Sequence, residues 1–207
     1  RELAAEFELT AAALGNLSAF YFFSYVAVQV PTGVLVDRYG PRRILTLAAA
    51  GAAAGALLFA GAHTFALAGA GRLLIGASVG VAFVAMMKLS THWFHPARFA
   101  LVAGLALGTG MVGAVSAGAP LRWLADLFGW RGVILATAAA TAALAVAIWL
   151  AMRDDPEERG YASYLPAAHA GARVHSMLGG LVRVLRSRNV LLICILSGGI
   201  SGPMLTF

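Results

Sequence analysis

GVLVDRYGPRR, residues 33–43, sets one aspartate and three arginines, punctuated by Gly33, Gly40 and Pro41, between two long apolar runs. Each residue type has a physical use there. Gly33 carries no side chain, so another helix can approach closely, as small residues allow at membrane helix contacts. Gly40 with Pro41 turns the chain. Asp37 stands at a helix end, where a carboxylate can meet the positive N-terminal end of a facing helix. Arg38, Arg42 and Arg43 can pair with Asp37 or with acidic lipid headgroups. A cluster of this kind can also do no more than fix topology and the turn.

The apolar runs on either side recur along the whole chain. Of 207 residues, 60% are hydrophobic and 12% charged, and the mean hydropathy is +0.82. A soluble domain carries about 25% charged residues. A bilayer-spanning helix needs roughly 20 mainly apolar residues, and the sequence supplies runs at 11–36, 44–62, 65–87, 99–121 and 133–152, with a further one from 190 to 207. A β-barrel would instead alternate over segments of about 10 residues. The expected fold class is therefore an all-α membrane protein. The single cysteine, Cys194, excludes an internal disulfide.

Cytoplasmic loops collect Lys and Arg, and the cations here fall mainly in alternate connections: Arg38, Arg42, Arg43, Lys88, Arg98, Arg153, Arg159, Arg173, Arg183, Arg186 and Arg188. The others hold Arg1, Arg122 and Arg131. This places the Asp37 loop and the segment 153–189 in the cytoplasm, and explains the net charge of +6 by topology rather than by nucleic-acid binding. The expected organisation is a bundle over 1–152, a linker over 153–189 and the start of a second bundle over 190–207. The linker opens with Asp154, Asp155, Glu157 and Glu158, reads as solvated, and closes in MLGGLVRVLRSRN, an amphipathic stretch suited to the membrane surface. The apolar last residues and the acidic start read as a fragment of a longer protein.

GVLVDRYGPRR resembles the signature loop between the second and third helices of the major facilitator superfamily. GRLLIGASVG (71–80) resembles that family's Arg-containing motif, WFHPARFALVAG (93–104) its run from the fourth into the fifth helix, and FGWRGVILATA (128–138) the beginning of its sixth. The resemblance covers essentially the whole chain. It implies a six-helix bundle lacking its first helix, followed by a linker and the beginning of a second bundle. It also implies a secondary transporter, of symporter type, in a cell membrane such as the bacterial inner membrane, with no cofactor. Partners would be a small polar or anionic solute, the bilayer and the missing second bundle. Gly33, Asp37, Arg38, Gly40, Arg42 and Arg43 would form a latch that closes in one state and opens in the other. The competing class is a transport-inactive receptor or assembly subunit. A drug or soft-metal permease is a minor alternative: the glycine-proline motif of exporters is matched only loosely by Gly118 and Pro120, and His92 and His95 near Met86 and Met87 lack completing ligands.

Candidates for the solute path are few. Arg72 lies some seven residues inside an apolar run, where a cation is costly unless paired or hydrated. It either snorkels toward the outer surface or faces the central cavity. Lys88, at the other end of that run, either anchors the helix or reaches an anionic solute. Tyr21, Tyr25 and Gln29 recur every four residues and so share a helix face, which either lines a cavity or packs on a neighbour. Gly76, Gly80, Gly104, Gly108 and Gly113 are candidates for close helix packing. Trp93, Trp123 and Trp130 suit interface anchoring. No Asp or Glu lies at the centre of a complete span, so a proton-carrying carboxylate is expected near Glu2 or Glu6 or outside this sequence. There is no nucleophile and base set and no GxxxxGK[ST] phosphate loop, which argues against an enzyme or ATPase.

Overall fold

The computed structural model describes residues 10–161, 164 and 186–188. Residues 1–170 form one compact unit and 171–207 another. The amphipathic stretch 177–189, except for residues 186–188, lies outside the described residues, as do the run 190–207 and Glu2 and Glu6.

Five helices are long and apolar enough to cross a membrane: α1 (Ala11–Tyr39), α2 (Pro41–Ala60), α3 (Phe65–Trp93), α4 (Phe99–Ser116) and α5 (Ala119–Ala151). No strand occurs among the described residues. The chain is thus a multi-pass helical membrane protein.

Local sequence sets the helix ends. The Thr10 and Thr64 hydroxyls accept from the Ala13 and Leu67 amides, each at 3.3 Å, and cap α1 and α3. Gly40, at φ 82° and ψ 150°, ends α1 in a backbone region open almost only to glycine, and Pro41 starts α2 with its ring in the first turn. The chain leaves α3 in the extended conformation at Phe94 and passes through a 3-10 turn, Pro96–Arg98, into α4.

The last expected boundaries differ. Sequence placed a connection between 121 and 133, but α5 begins at Ala119, where Pro120 occupies the first turn, and runs through Arg122, Asp126 and Arg131. Gly129, at φ 72° and ψ 152°, breaks it into two helical pieces. The apolar run of α4 is correspondingly shorter than expected. Helix α3 extends to Trp93, six residues past its apolar run, because Ser90, Thr91 and His92 remain helical while projecting beyond the span.

Helix α3 is the centre of the bundle, packed on α1 and α2, while α5 packs on α2 and α4 touches its neighbours lightly. Lipid offers no hydrophobic driving force between helices, so contact depends on backbone approach. At the α2–α3 crossing a Cβ on Gly55 would stand 3.0 Å from the Gly71 carbonyl oxygen, and one on Gly71 2.8 Å from that of Gly55. Two apolar clusters bracket this crossing. Leu17, Phe59, Ala62 and Ala68 are joined by Phe20, Phe65, Trp130 and Ile134 at one end, and Val36, Ile44 and Ala85 by Leu45 and Val81 at the other. Alternation of helix direction brings the α1–α2 loop, the α3–α4 loop and the residues after α5 to a single end, called here the Asp37 end.

Candidate functional site: the Asp37 end and Arg72

The loop 33–43 is held by partners that its own sequence does not contain. Asp37, in the last turn of α1, pairs with Lys88 of α3. Arg38 lies over the Tyr39 ring, 5.4 Å from its centroid. Arg42 turns the other way: its Nε and a terminal nitrogen donate to the Trp149 carbonyl of α5 at 3.1 and 2.5 Å, and its guanidinium stacks 4.3 Å from the Trp149 ring centroid. That carbonyl belongs to the last turn of α5, where helix polarity favours a cation. Arg43 is exposed, beside Tyr39, Ile44 and Leu47. Nothing lies within 4 Å of a Cβ placed on Gly33, so the close approach expected there is not made among the described residues.

Among the described residues, the carboxylate that meets a helix N-terminus is that of Asp154. Asp154 Oδ1 accepts from the Arg42 amide at 2.6 Å, at the first turn of α2. Its other oxygen would be 2.5 Å from a Cβ on Gly40, so Gly40 is needed both for its φ and for this approach. Asp155 meets His92 Nδ1 at 3.1 Å, the Trp93 indole donates to the Arg153 carbonyl at 3.2 Å, and the Tyr164 amide to the His92 carbonyl at 3.3 Å. The residues after α5 were expected as a solvated linker. Their first stretch, including the 3-10 turn Pro156–Arg159 with buried Pro156, instead straps the ends of α2, α3 and α5. No signal within 33–43 pointed to Asp154, Asp155, His92 or Trp149; the acidic residues just after the fifth apolar run were the available hint.

Arg72 lies within α3, about 10 Å along the axis from its start at 1.5 Å per residue. Its guanidinium carbon is 4.5 Å from the centroid of the Phe59 ring of α2, and its Nε is buried with no hydrogen-bond partner among the described residues. Tyr21 and Tyr25 are half-buried and their rings stack at 6.1 Å, and Gln29 is half-buried one turn further on. This face also packs: a Cβ on Gly76 would run into the Tyr21 carbonyl oxygen and Ser24 Oγ, and one on Gly80 would be 2.8 Å from the Tyr25 carbonyl oxygen. Gly104, Gly108 and Gly113 of α4 differ, with nothing within 4 Å of an added Cβ. The tight packing expected of them is absent among the described residues, because α4 stands off the bundle. Gly55 and Gly71 do form a backbone crossing; Gly55 stands at small-xxx-small spacing from Gly51, whereas Gly71, between Leu67 and Ile75 at that spacing, carries no such signal. Lys88, a candidate for the solute path, is engaged by Asp37 at the helix end.

Five spanning helices, the Asp-Arg loop and the Arg-containing third helix agree with a match to the family model of the Major Facilitator Superfamily over residues 2–207. The chain belongs to this superfamily. Among its relatives, the nitrate/nitrite transporter NrtP of Picosynechococcus sp. is 34% identical over 111 residues, 54% of this chain and 21% of that protein. The uncharacterized transporter YybO of Bacillus subtilis is 30% identical over 144 residues, 69% of this chain and 33% of that protein. The probable galactarate/D-glucarate transporter GarP of Escherichia coli is 24% identical over 164 residues, 76% of this chain and 36% of that protein. This superfamily chain thus spans a fifth to about a third of the length of these relatives, all of which are named as transporters and none as an enzyme.

Proposed function

We propose that the protein is a secondary active transporter that moves a small anionic solute across a cell membrane by alternating access between two helical bundles, with the Asp37 end facing the cytoplasm. The observation that carries the anionic preference is Arg72, a cation held inside a spanning helix with a buried Nε that no described group satisfies. An intramembrane arginine without a carboxylate partner is costly, and an anion arriving beside it supplies the missing acceptor. Phe59 covers one side of the guanidinium. Two relatives are named for the transport of anions, nitrate or nitrite in one case and galactarate or glucarate in the other.

The strapped loop end supplies the gate. Asp37, Lys88, Arg42 and Asp154 tie α1, α2, α3 and the end of α5 into one unit, leaving Arg38 and Arg43 exposed to engage the second bundle in one state and release it in the other. The test is uptake by the full-length protein in proteoliposomes, with nitrate, C6 aldarates, neutral sugars and a lipophilic cation as solutes. Saturable uptake of one of the anions, and not of the neutral or cationic solutes, is expected. Uptake of the lipophilic cation alone, or binding with no flux of any solute, would overturn the reading.

A further inference from the structure

Arg72 stands about 10 Å inside α3, a depth from which a long side chain can stretch toward the interface and hydrate. It is held instead over the ring of Phe59, in the last turn of α2, its guanidinium carbon 4.5 Å from the ring centroid. Gly71 makes this contact possible. A Cβ on it would stand 2.9 Å from the Phe59 amide nitrogen and 3.0 Å from the Phe59 Cβ, so a glycine beside Arg72 lets the last turn of α2 come close. The ring has little room to turn away. It is 3% exposed, packs with Leu17, Ala62 and Ala68, and meets Trp130 of α5 edge-on at 5.8 Å between centroids. Trp130 is fixed in turn: it follows the break at Gly129, and the next residue, Arg131, donates to the Ala62 carbonyl at 2.8 Å, tying α5 to the end of α2.

We propose that Phe59, buttressed by Trp130, is a positioning residue for Arg72: it fixes the guanidinium through its ring face and leaves the N–H donors for the solute. This role rests on the reading of Arg72 as the solute contact. Chemistry favours an aromatic side chain in this place. The face of a ring attracts a cation through its quadrupole without taking up its donors, whereas a carboxylate would occupy the guanidinium fork in the bidentate manner that an oxyanion solute requires. No acidic side chain pairs with Arg72 among the described residues. A desolvated cation–π contact also lowers the cost of keeping the charge inside the span before the solute arrives. A guanidinium already held in one place then loses less freedom on binding an anion, and preorganisation of this kind is expressed as affinity rather than as turnover.

The test compares full-length wild type with Phe59→Leu and with a ring-trifluorinated phenylalanine in place of Phe59, which keeps the shape of the ring and removes the negative potential of its face. Initial uptake of nitrate and of galactarate into proteoliposomes is measured against concentration. For the anion carried, the fluorinated protein and Phe59→Leu should each show a KM raised roughly threefold to tenfold, with kcat within about twofold of wild type. Thermal unfolding supplies a second readout. Fluorination should lower the melting temperature of wild type and leave that of Arg72→Gln unchanged, since no cation remains there for the ring face to hold. An unchanged KM on fluorination, in a protein whose Arg72→Gln variant has lost uptake, would leave Arg72 as the solute contact and overturn the role of Phe59. An equal drop in melting temperature in both backgrounds would also overturn it, reducing Phe59 to packing. Undiminished uptake by Arg72→Gln would instead overturn the solute contact itself, and the role of Phe59 with it.

Discussion

Replacing Gly40 by Ala and Asp154 by Ala, singly and together, isolates the contact that joins the signature loop to the residues after α5. Removing the Asp154 carboxylate loses a charge-assisted bond of 2.6 Å to the Arg42 amide, a change costing about 2 kcal/mol by the range for hydrogen bonds to charged groups and for N-caps. Alanine at Gly40 meets two obstacles. A φ of 82° with a ψ of 150° lies in a region that costs a non-glycine residue about 2 kcal/mol. Its Cβ would also stand 2.5 Å from Asp154 Oδ2, so the carboxylate is displaced and its bond lost as well, for a total of roughly 4 kcal/mol by the same principles. In the Asp154→Ala background the second obstacle is already gone. Gly40→Ala should then cost only about 2 kcal/mol, a coupling of roughly 2 kcal/mol between the sites. Equilibrium unfolding in mixed micelles of rising dodecyl sulfate content measures all four proteins. If Gly40→Ala costs the same in both backgrounds, Asp154 does not occupy the N-terminus of α2 and the strap is wrongly drawn.

Four other substitutions follow the same reasoning. Gly76→Ala should abolish folded protein, since its Cβ collides with the Tyr21 backbone. Gly104→Ala, with nothing within 4 Å, should be recovered at wild-type yield and melting temperature by size-exclusion and thermal scans. Asp37→Asn should cost at most about 1 kcal/mol of stability, because the Asp37–Lys88 side chains are 54% and 32% exposed and exposed pairs contribute little; transport should fall about tenfold, equivalent to about 1.4 kcal/mol of barrier, and the exchange Asp37→Lys with Lys88→Asp should recover much of it. Arg42→Ala should cost about 1–3 kcal/mol through the lost Trp149 bonds and stacking. Arg42→Lys should restore less than half of that, because an ammonium cannot bond and stack in the same fixed plane.

The spans and the loop were legible because bilayer crossing is written in composition over windows of about 20 residues, and charges between such windows are conspicuous. The break at Gly129 was not. A positive-φ glycine inside a helix and a glycine at a loop end look alike in one sequence, and the charges of Arg122, Asp126 and Arg131 suggested a loop. Contact partners were harder still. The pairing of Asp37 with Lys88 spans 51 residues and the cap of Arg42 by Asp154 spans 112, so neither partner could be read from proximity in sequence. The glycines show the same limit. Gly76 and Gly104 are indistinguishable by type, yet one abuts a backbone and the other has no neighbour within 4 Å among the described residues, where α3 is central and α4 is peripheral. Arg72 was visible as an isolated cation in an apolar run, but its place over Phe59 required the α2–α3 crossing that Gly55 and Gly71 permit.

Arg72 is the point on which the central claim rests. The decisive measurement is anion uptake by the full-length protein in proteoliposomes, comparing wild type with Arg72→Gln at matched folded amounts. The account predicts that the variant folds and inserts normally but loses at least tenfold in initial uptake, with Arg72→Lys intermediate. Undiminished uptake by Arg72→Gln would show that the buried guanidinium serves packing on Phe59 and not the solute, and the anionic reading would fall with it.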